Sequence, residues 1–141
     1  MASKLAEMTQ GKLCPLVLKE DYTKNYDALV NELENTNTED NQPELQTLGV
    51  SLNDFDHIFV LSPVWWYTMS CPVNTFLHQN HLEGKEVYLL ATNAGWLGHT
   101  FEDMKKLLKG QVKGCLICVF EGNTCQNEEE ILKELQKLEH V

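Results

Sequence analysis

The sequence predicts a single α/β domain spanning 1–141, a three-layer sandwich around a parallel sheet. Three observations carry that expectation. Two nearly continuous apolar runs, at 55–62 and 86–92, have the character of strands buried on both faces. Each is followed by a stretch with helical apolar spacing, so strands and helices alternate at the distance of βαβ units. The chain of 141 residues, 43% hydrophobic and 23% charged, is long enough to bury a core without disulfides or metals.

The elements follow in order. Residues 2–10 read as a short helix that Gly11 is placed to end. The apolar residues Leu16 and Val17 in LCPLVLKE read as a strand, and Pro15 marks it as an edge. Tyr26, Leu29, Val30 and Leu33 recur at i, i+3, i+4 and i+7, the spacing of an amphipathic helix. The polar stretch 35–53 has no period and carries Pro43, so a long loop is expected there. FDHIFVLS is a buried strand. After the loop PVWWYTMSC, Pro72 occupies the first position of a helix carrying Val73, Phe76 and Leu77. EVYLLAT is the next buried strand and NAGWLG the loop after it. Thr100 is placed to cap the following helix, with Asp103 three residues on and Phe101, Met104, Leu107 and Leu108 on its apolar face. VKGCLICVF is the last strand. Asn127 then caps EEEILKELQKLE, whose acidic first turn suits the helix dipole.

Composition narrows the function. Asp and Glu number 21 against 11 Lys, with no Arg, for a net charge of −10. Such a surface repels a phosphate backbone, so nucleic acid is not an expected partner. Without Arg there is no bidentate clamp, which leaves backbone N–H groups, hydroxyls and Lys to hold any phosphate. No apolar run approaches the ~20 residues of a membrane helix, and MASKLAEMTQGK lacks a signal-peptide core. A cytoplasmic protein without membrane contact is expected. The five cysteines are an odd, scattered set and read as free thiols. Cys115 and Cys118 form a C-x-x-C, but in a strand they point to opposite faces, and no second pair completes a zinc site. His78 and His81 have a metal-compatible spacing without a third ligand, and ordinary surface histidines are expected. Hydrolase, zincin, NTPase and dinucleotide motifs are absent from the sequence.

Ligands of parallel sheets sit beyond the carboxyl ends of the strands, which here means two loops. The first, Ser62, Pro63, Val64, Trp65, Trp66, Tyr67, Thr68 and Met69, sets three large aromatics in a row after a buried strand. Such rings suit a flat amphipathic ligand; they equally suit a cap on the core or a subunit contact. The second, Thr92, Asn93, Ala94, Gly95, Trp96, Leu97 and Gly98, is rich in small residues that permit close backbone approach. Together the loops outline a slot for a planar heterocycle, and His99 lies beside it.

DFDHIFVLSPVWWYTMSCPVNTFL and LEGKEVYLLATNAGWLGHTFEDMKKLLKG resemble the flavodoxin-like family, most nearly the short flavodoxins with a P-[IV]-W-W loop and a T-x-x-G-x-x-G loop. The resemblance runs over 3–138 and is most specific over 54–109. It implies an FMN cofactor whose ring is held between residues 63–69 and 92–98, with Asn93 a hydrogen-bonding candidate. It also implies electron transfer or flavin-dependent reduction, with a redox partner protein or small acceptor and a homodimer among the partners. No side chain need be a catalytic acid or base. Three departures stand out. Tyr67 occupies a position that is usually glycine, and the second loop is about one residue short. The family's first strand and Ser/Thr-Gly-rich phosphate loop have no counterpart, so the central strand of the 2-1-3-4-5 order is expected to be missing. An alternative follows from that loss: a flavodoxin-like interaction or assembly module that no longer binds FMN, its tryptophans anchoring a partner.

Overall fold

Three long strands carry the sheet: β1 (His57–Trp65), β3 (Glu86–Asn93) and β4 (Gln111–Glu121) run parallel, with β3 in the middle. Two-residue strands β2 (Thr68–Met69) and β5 (Thr124–Cys125) fold back antiparallel at either side, giving a five-stranded order β2-β1-β3-β4-β5. The helices are α1 (Ala2–Thr9), α2 (Cys71–Gln79), α3 (Thr100–Leu107) and α4 (Glu128–Gln136). This computed structural model describes residues 1–20, 42–93, 95–122 and 124–137; the helix expected over 26–33 and Ala94 lie outside them. Among the described residues, no strand pairs with the outer edge of β1 over 57–63.

Strand alternation sorts the apolar residues into two cores. On one face, Val60, Val87 and Leu89 meet Val73, Phe76 and Leu77 of α2 and Met104 of α3. On the other, Leu90 and Cys118 meet Leu5 of α1 and Ile131 and Leu135 of α4, with Phe59 and Leu61 packed alongside. Helices therefore cover both faces, and the three-layer expectation holds. The C-x-x-C pair divides as strand geometry requires, with Cys115 against the first core and Cys118 in the second. Burial, reinforced by Cys125, pushes the Cys118 thiol up to about 11.

One feature of β4 was not legible in the sequence. Val87 pairs with Val112 but Tyr88 pairs with Gly114, so Lys113 is an extra residue in a β-bulge. The insertion shifts the alternation by one, which is why Val112 and Cys115 both reach the first core. Gly114 lies beneath Tyr88, whose ring stacks on Phe59 at 4.6 Å.

Other expectations need correction. The run around Leu16 and Val17 forms no strand of the sheet. Pro15 has no N–H to give, and the segment instead makes one antiparallel bridge, Leu18 to Leu45, with Gln46 N donating to Val17 O at 2.7 Å. α1 ends with Gln10, not Gly11, in the left-handed conformation (φ 53°), while Gly11 N donates to Ala6 O. His99 rather than Thr100 is the N-cap of α3, and Thr100 donates its hydroxyl to Leu97 O at 2.7 Å. Asn127 does cap α4, but its side chain serves β4: Val119 N donates to Oδ1 and Nδ2 donates to Ile117 O. Among the described residues no helix is long and apolar enough to cross a membrane.

Candidate functional site

Beyond the carboxyl ends of β1 and β3, the two aromatic and glycine-rich segments meet. What the sequence presents as a loop after Ser62 is a hairpin: β1 continues to Trp65 and turns through Trp66 and Tyr67 into β2. Both turn residues have positive φ, 48° and 66°. A two-residue hairpin turn of this kind normally recruits Asn and Gly, because a Cβ there costs about 1–2 kcal/mol per residue. Two bulky aromatics held in that conformation mark stored strain at this turn, beyond the carboxyl end of the parallel part of β1. The turn also leaves Trp66 and Tyr67 exposed at 45% and 54%.

The glycine segment locks onto that turn. Gly98 (φ +61°) lies so close to Tyr67 that an added Cβ would be 2.3 Å from its carbonyl oxygen. His99 N donates to the same oxygen at 2.8 Å. Gly95 N donates to Asn93 Oδ1 at 2.7 Å, bending the chain away from the end of β3. The rings of Tyr67 and Trp96 meet edge to face, with centroids 5.7 Å apart.

Tyr67, Gly95, Trp96, Leu97, Gly98 and His99 together line an open cavity of about 680 Å³. Thr92 and Asn93 face a second hollow of about 270 Å³ with Phe120. Among the described residues, Asn93 Nδ2 is buried without a hydrogen-bond partner. Of the remaining candidates, Pro63 is exposed, and Val64 and Trp65 are half-buried. Ser62, Thr68 and Met69 are buried. Ser62 Oγ accepts from Ser70 N at 2.9 Å and so ties β1 to the start of α2.

A polar cluster at the cavity rim escaped the sequence reading. Thr68 Oγ1 donates to Asp103 Oδ2 at 2.6 Å, and His99 Nδ1 hydrogen-bonds the same oxygen. Burial opposes the charge on Asp103. The bonds from Thr68 and His99, the His99 charge and Lys106 outweigh it, so the carboxyl sits below its usual range. The signal present in the sequence was the His-x-x-x-Asp spacing, four apart on a helix start. By contrast, His78 and His81 make separate contacts, their Nδ1 atoms bonding Asn74 O and Leu107 O.

A parallel sheet covered by helices on both faces, with a cavity beyond its strand ends, places the chain in the doubly wound α/β class. The flavodoxin family profile matches residues 1–133, and the chain belongs to that family. Among curated proteins, none matches it. In fold it is similar to the crystal structure assigned to a flavoprotein of Bacteroides eggerthii (TM-score 0.72, 22% identity, covering 99% of this chain and 87% of that one). A second, assigned to a flavoprotein of Bacteroides uniformis, has TM-score 0.73 and 20% identity, with 94% and 88% covered. The flavoprotein of Lactobacillus acidophilus, solved in complex with FMN, has TM-score 0.66 and 20% identity, with 94% and 89% covered.

Proposed function

We propose that this protein takes the isoalloxazine ring of FMN into the cavity between the hairpin and the glycine segment, and acts in electron transfer or flavin-dependent reduction. The observation that carries the reading is the convergence of Tyr67, Trp96 and Gly98 on one ligand-sized cavity at the carboxyl ends of parallel strands. Its volume lies within the ~300–1,000 Å³ of small-molecule sites. Tyr67 and Trp96 offer ring faces, and in the neighbouring hollow Asn93 Nδ2 is a buried donor without an acceptor among the described residues. Membership of the flavodoxin family and the FMN complex of the Lactobacillus relative support the choice of ligand.

The flavin, when bound, supplies the electron chemistry, and the protein supplies position and environment. Tyr67 and Trp96 already touch, so a planar ligand lies against an outer face of the pair or parts it. Among the described residues no Lys lines the cavity, and the chain has no Arg, so the ring, and not a Lys or Arg clamp on the phosphate, supplies the proposed affinity. FMN and riboflavin should accordingly bind within about tenfold of one another, or about 1.4 kcal/mol.

Titration of the purified chain with FMN, followed by tryptophan and flavin fluorescence, tests the reading. Quenching of both, weakened by about threefold to tenfold in Trp96→Ala, is expected from the loss of one stacking face. Trp96 is 69% exposed, which also suits a protein partner. Unchanged flavin affinity in Trp96→Ala together with lost self- or hetero-association would favour that assembly role instead.

A further inference from the structure

The cavity has one titratable side chain whose outer ring atom is uncommitted. His99 is half exposed at the rim, yet it is pinned from two sides: its backbone N–H donates to Tyr67 O, and its Nδ1 bonds Asp103 Oδ2. Asp103 is fixed in turn by the hydroxyl of Thr68, a buried residue of β2. Because Asp103 is ionised and accepts from Thr68, its bond to His99 places a hydrogen on Nδ1. Nε2 then carries a lone pair in the neutral imidazole and an N–H in the protonated one. Among the described residues it has no partner.

The groups facing the imidazole come from three elements. From α3, Asp103 faces the imidazole, and Lys106 lies 3.6 Å from the other carboxylate oxygen. The hairpin contributes the Tyr67 phenol and the Thr68 hydroxyl, and the glycine segment contributes no titratable group. On a chain of net charge −10, His99 is, among the described residues, the only cavity-lining side chain able to become cationic near neutral pH. A ligand bringing an electron-rich oxygen into this acidic surface therefore has one charge-assisted donor available to it.

We propose that His99 is the proton-exchanging contact of this cavity, selecting planar ligands with a carbonyl or anionic oxygen at their edge by taking up one proton as they bind. Asp103 and Thr68 are positioning residues that set the tautomer and hold the imidazolium. This rests on the reading of the cavity as a flavin-ring site, the isoalloxazine carbonyls being oxygens of the required kind. The sign follows from linkage. Where imidazole is already protonated, affinity does not depend on pH. Above its titration each ligand bound takes up a proton, and affinity falls toward tenfold per pH unit.

Riboflavin is the suitable probe, because it lacks the phosphate whose own ionisation overlaps that of imidazole. Its dissociation constant is measured by tryptophan fluorescence from about pH 5.5 to about 8.5, across the imidazole range. Wild type, His99→Gln and Asp103→Asn are compared. The wild type should weaken as pH rises; His99→Gln, which keeps a donor but cannot titrate, should show one constant throughout. Asp103→Asn, which keeps the imidazole, should still bind with a pH dependence. Calorimetry in buffers of different ionisation enthalpy should show proton uptake wherever His99 is present and none in His99→Gln. Riboflavin binding with no pH dependence, or an equal slope in His99→Gln, overturns the role of His99 and leaves the cavity reading standing. No riboflavin binding at any pH overturns both.

Discussion

Replacing Gly98 by Ala tests whether the glycine segment is seated directly on the hairpin backbone. The new Cβ would lie 2.3 Å from Tyr67 O and 2.6 Å from Tyr67 Cα, both backbone atoms that cannot swing aside. Two costs combine. The φ of +61° costs a non-glycine residue about 1–2 kcal/mol. Forcing a carbon into an occupied contact costs about 1–3 kcal/mol more. Against both stands up to about 1 kcal/mol from stiffening the unfolded chain, common to any glycine-to-alanine change. Two controls separate the contributions. Gly122 has φ +60° but nothing within 4 Å, and Gly49 has open space without a positive φ. Urea unfolding should rank Gly49→Ala as most stable, then Gly122→Ala lower by about 1–2 kcal/mol, then Gly98→Ala lower again by about 1–3 kcal/mol. A Gly98→Ala protein as stable as Gly122→Ala would refute the contact and the cavity shape built on it.

Three further outcomes are expected. Tyr67→Gly relieves about 1–2 kcal/mol of left-handed strain and gives up about 0.5–1.5 kcal/mol of contact with Trp96. With up to about 1 kcal/mol for the looser unfolded chain, stability in urea should move by no more than about 1.5 kcal/mol while riboflavin affinity falls; a larger destabilisation would show that the turn is not strained. Asp103 is depressed in the folded state, so its stabilisation is complete above the ordinary carboxylate range and is lost as pH falls through its folded value, below about pH 4. Thermal melts should show a steeper acid loss in the wild type than in Asp103→Asn, and identical profiles would contradict the bonding described. The Cys118 thiol, buried and raised to about 11, should resist alkylation at mildly alkaline pH until the protein unfolds. Peptide mass spectrometry reads this directly, and labelling of the native protein at the rate of a free thiol would contradict it.

Much of the fold was legible because it rests on local pattern. The apolar runs at 55–62 and 86–92 became β1 and β3, and the helical spacing of Val73, Phe76 and Leu77 became the buried face of α2. What escaped depends on pairing between distant residues or on backbone conformations that the side chains disguise. Trp66 and Tyr67 carry no turn signature, so the hairpin read as a loop. The Lys113 bulge is visible only against β3. Leu16 and Val17 read as a strand, but the segment 44–46 takes the hydrogen bonds of Val17 O and Lys19 N in a single bridge outside the sheet. Tyr67, Gly95, Trp96 and Gly98, which the sequence places on the two candidate loops, line one cavity. The buried Ser62, Thr68 and Met69 instead tie the hairpin to the helices and core, and Asp103 emerges only through its contact across elements.

The most direct test of the central claim is a map of amide and indole NMR shifts on titration with FMN. The protein has another cavity, about 470 Å³, lined by residues including Leu45, Leu52, Phe76 and Asn80, which serves as an internal control. The account predicts shifts concentrated at Tyr67, Gly95, Trp96, Gly98 and His99, extending to the Asn93 side-chain amide, with the control cavity silent. Shifts confined to the control cavity, or none at saturating FMN, would contradict it.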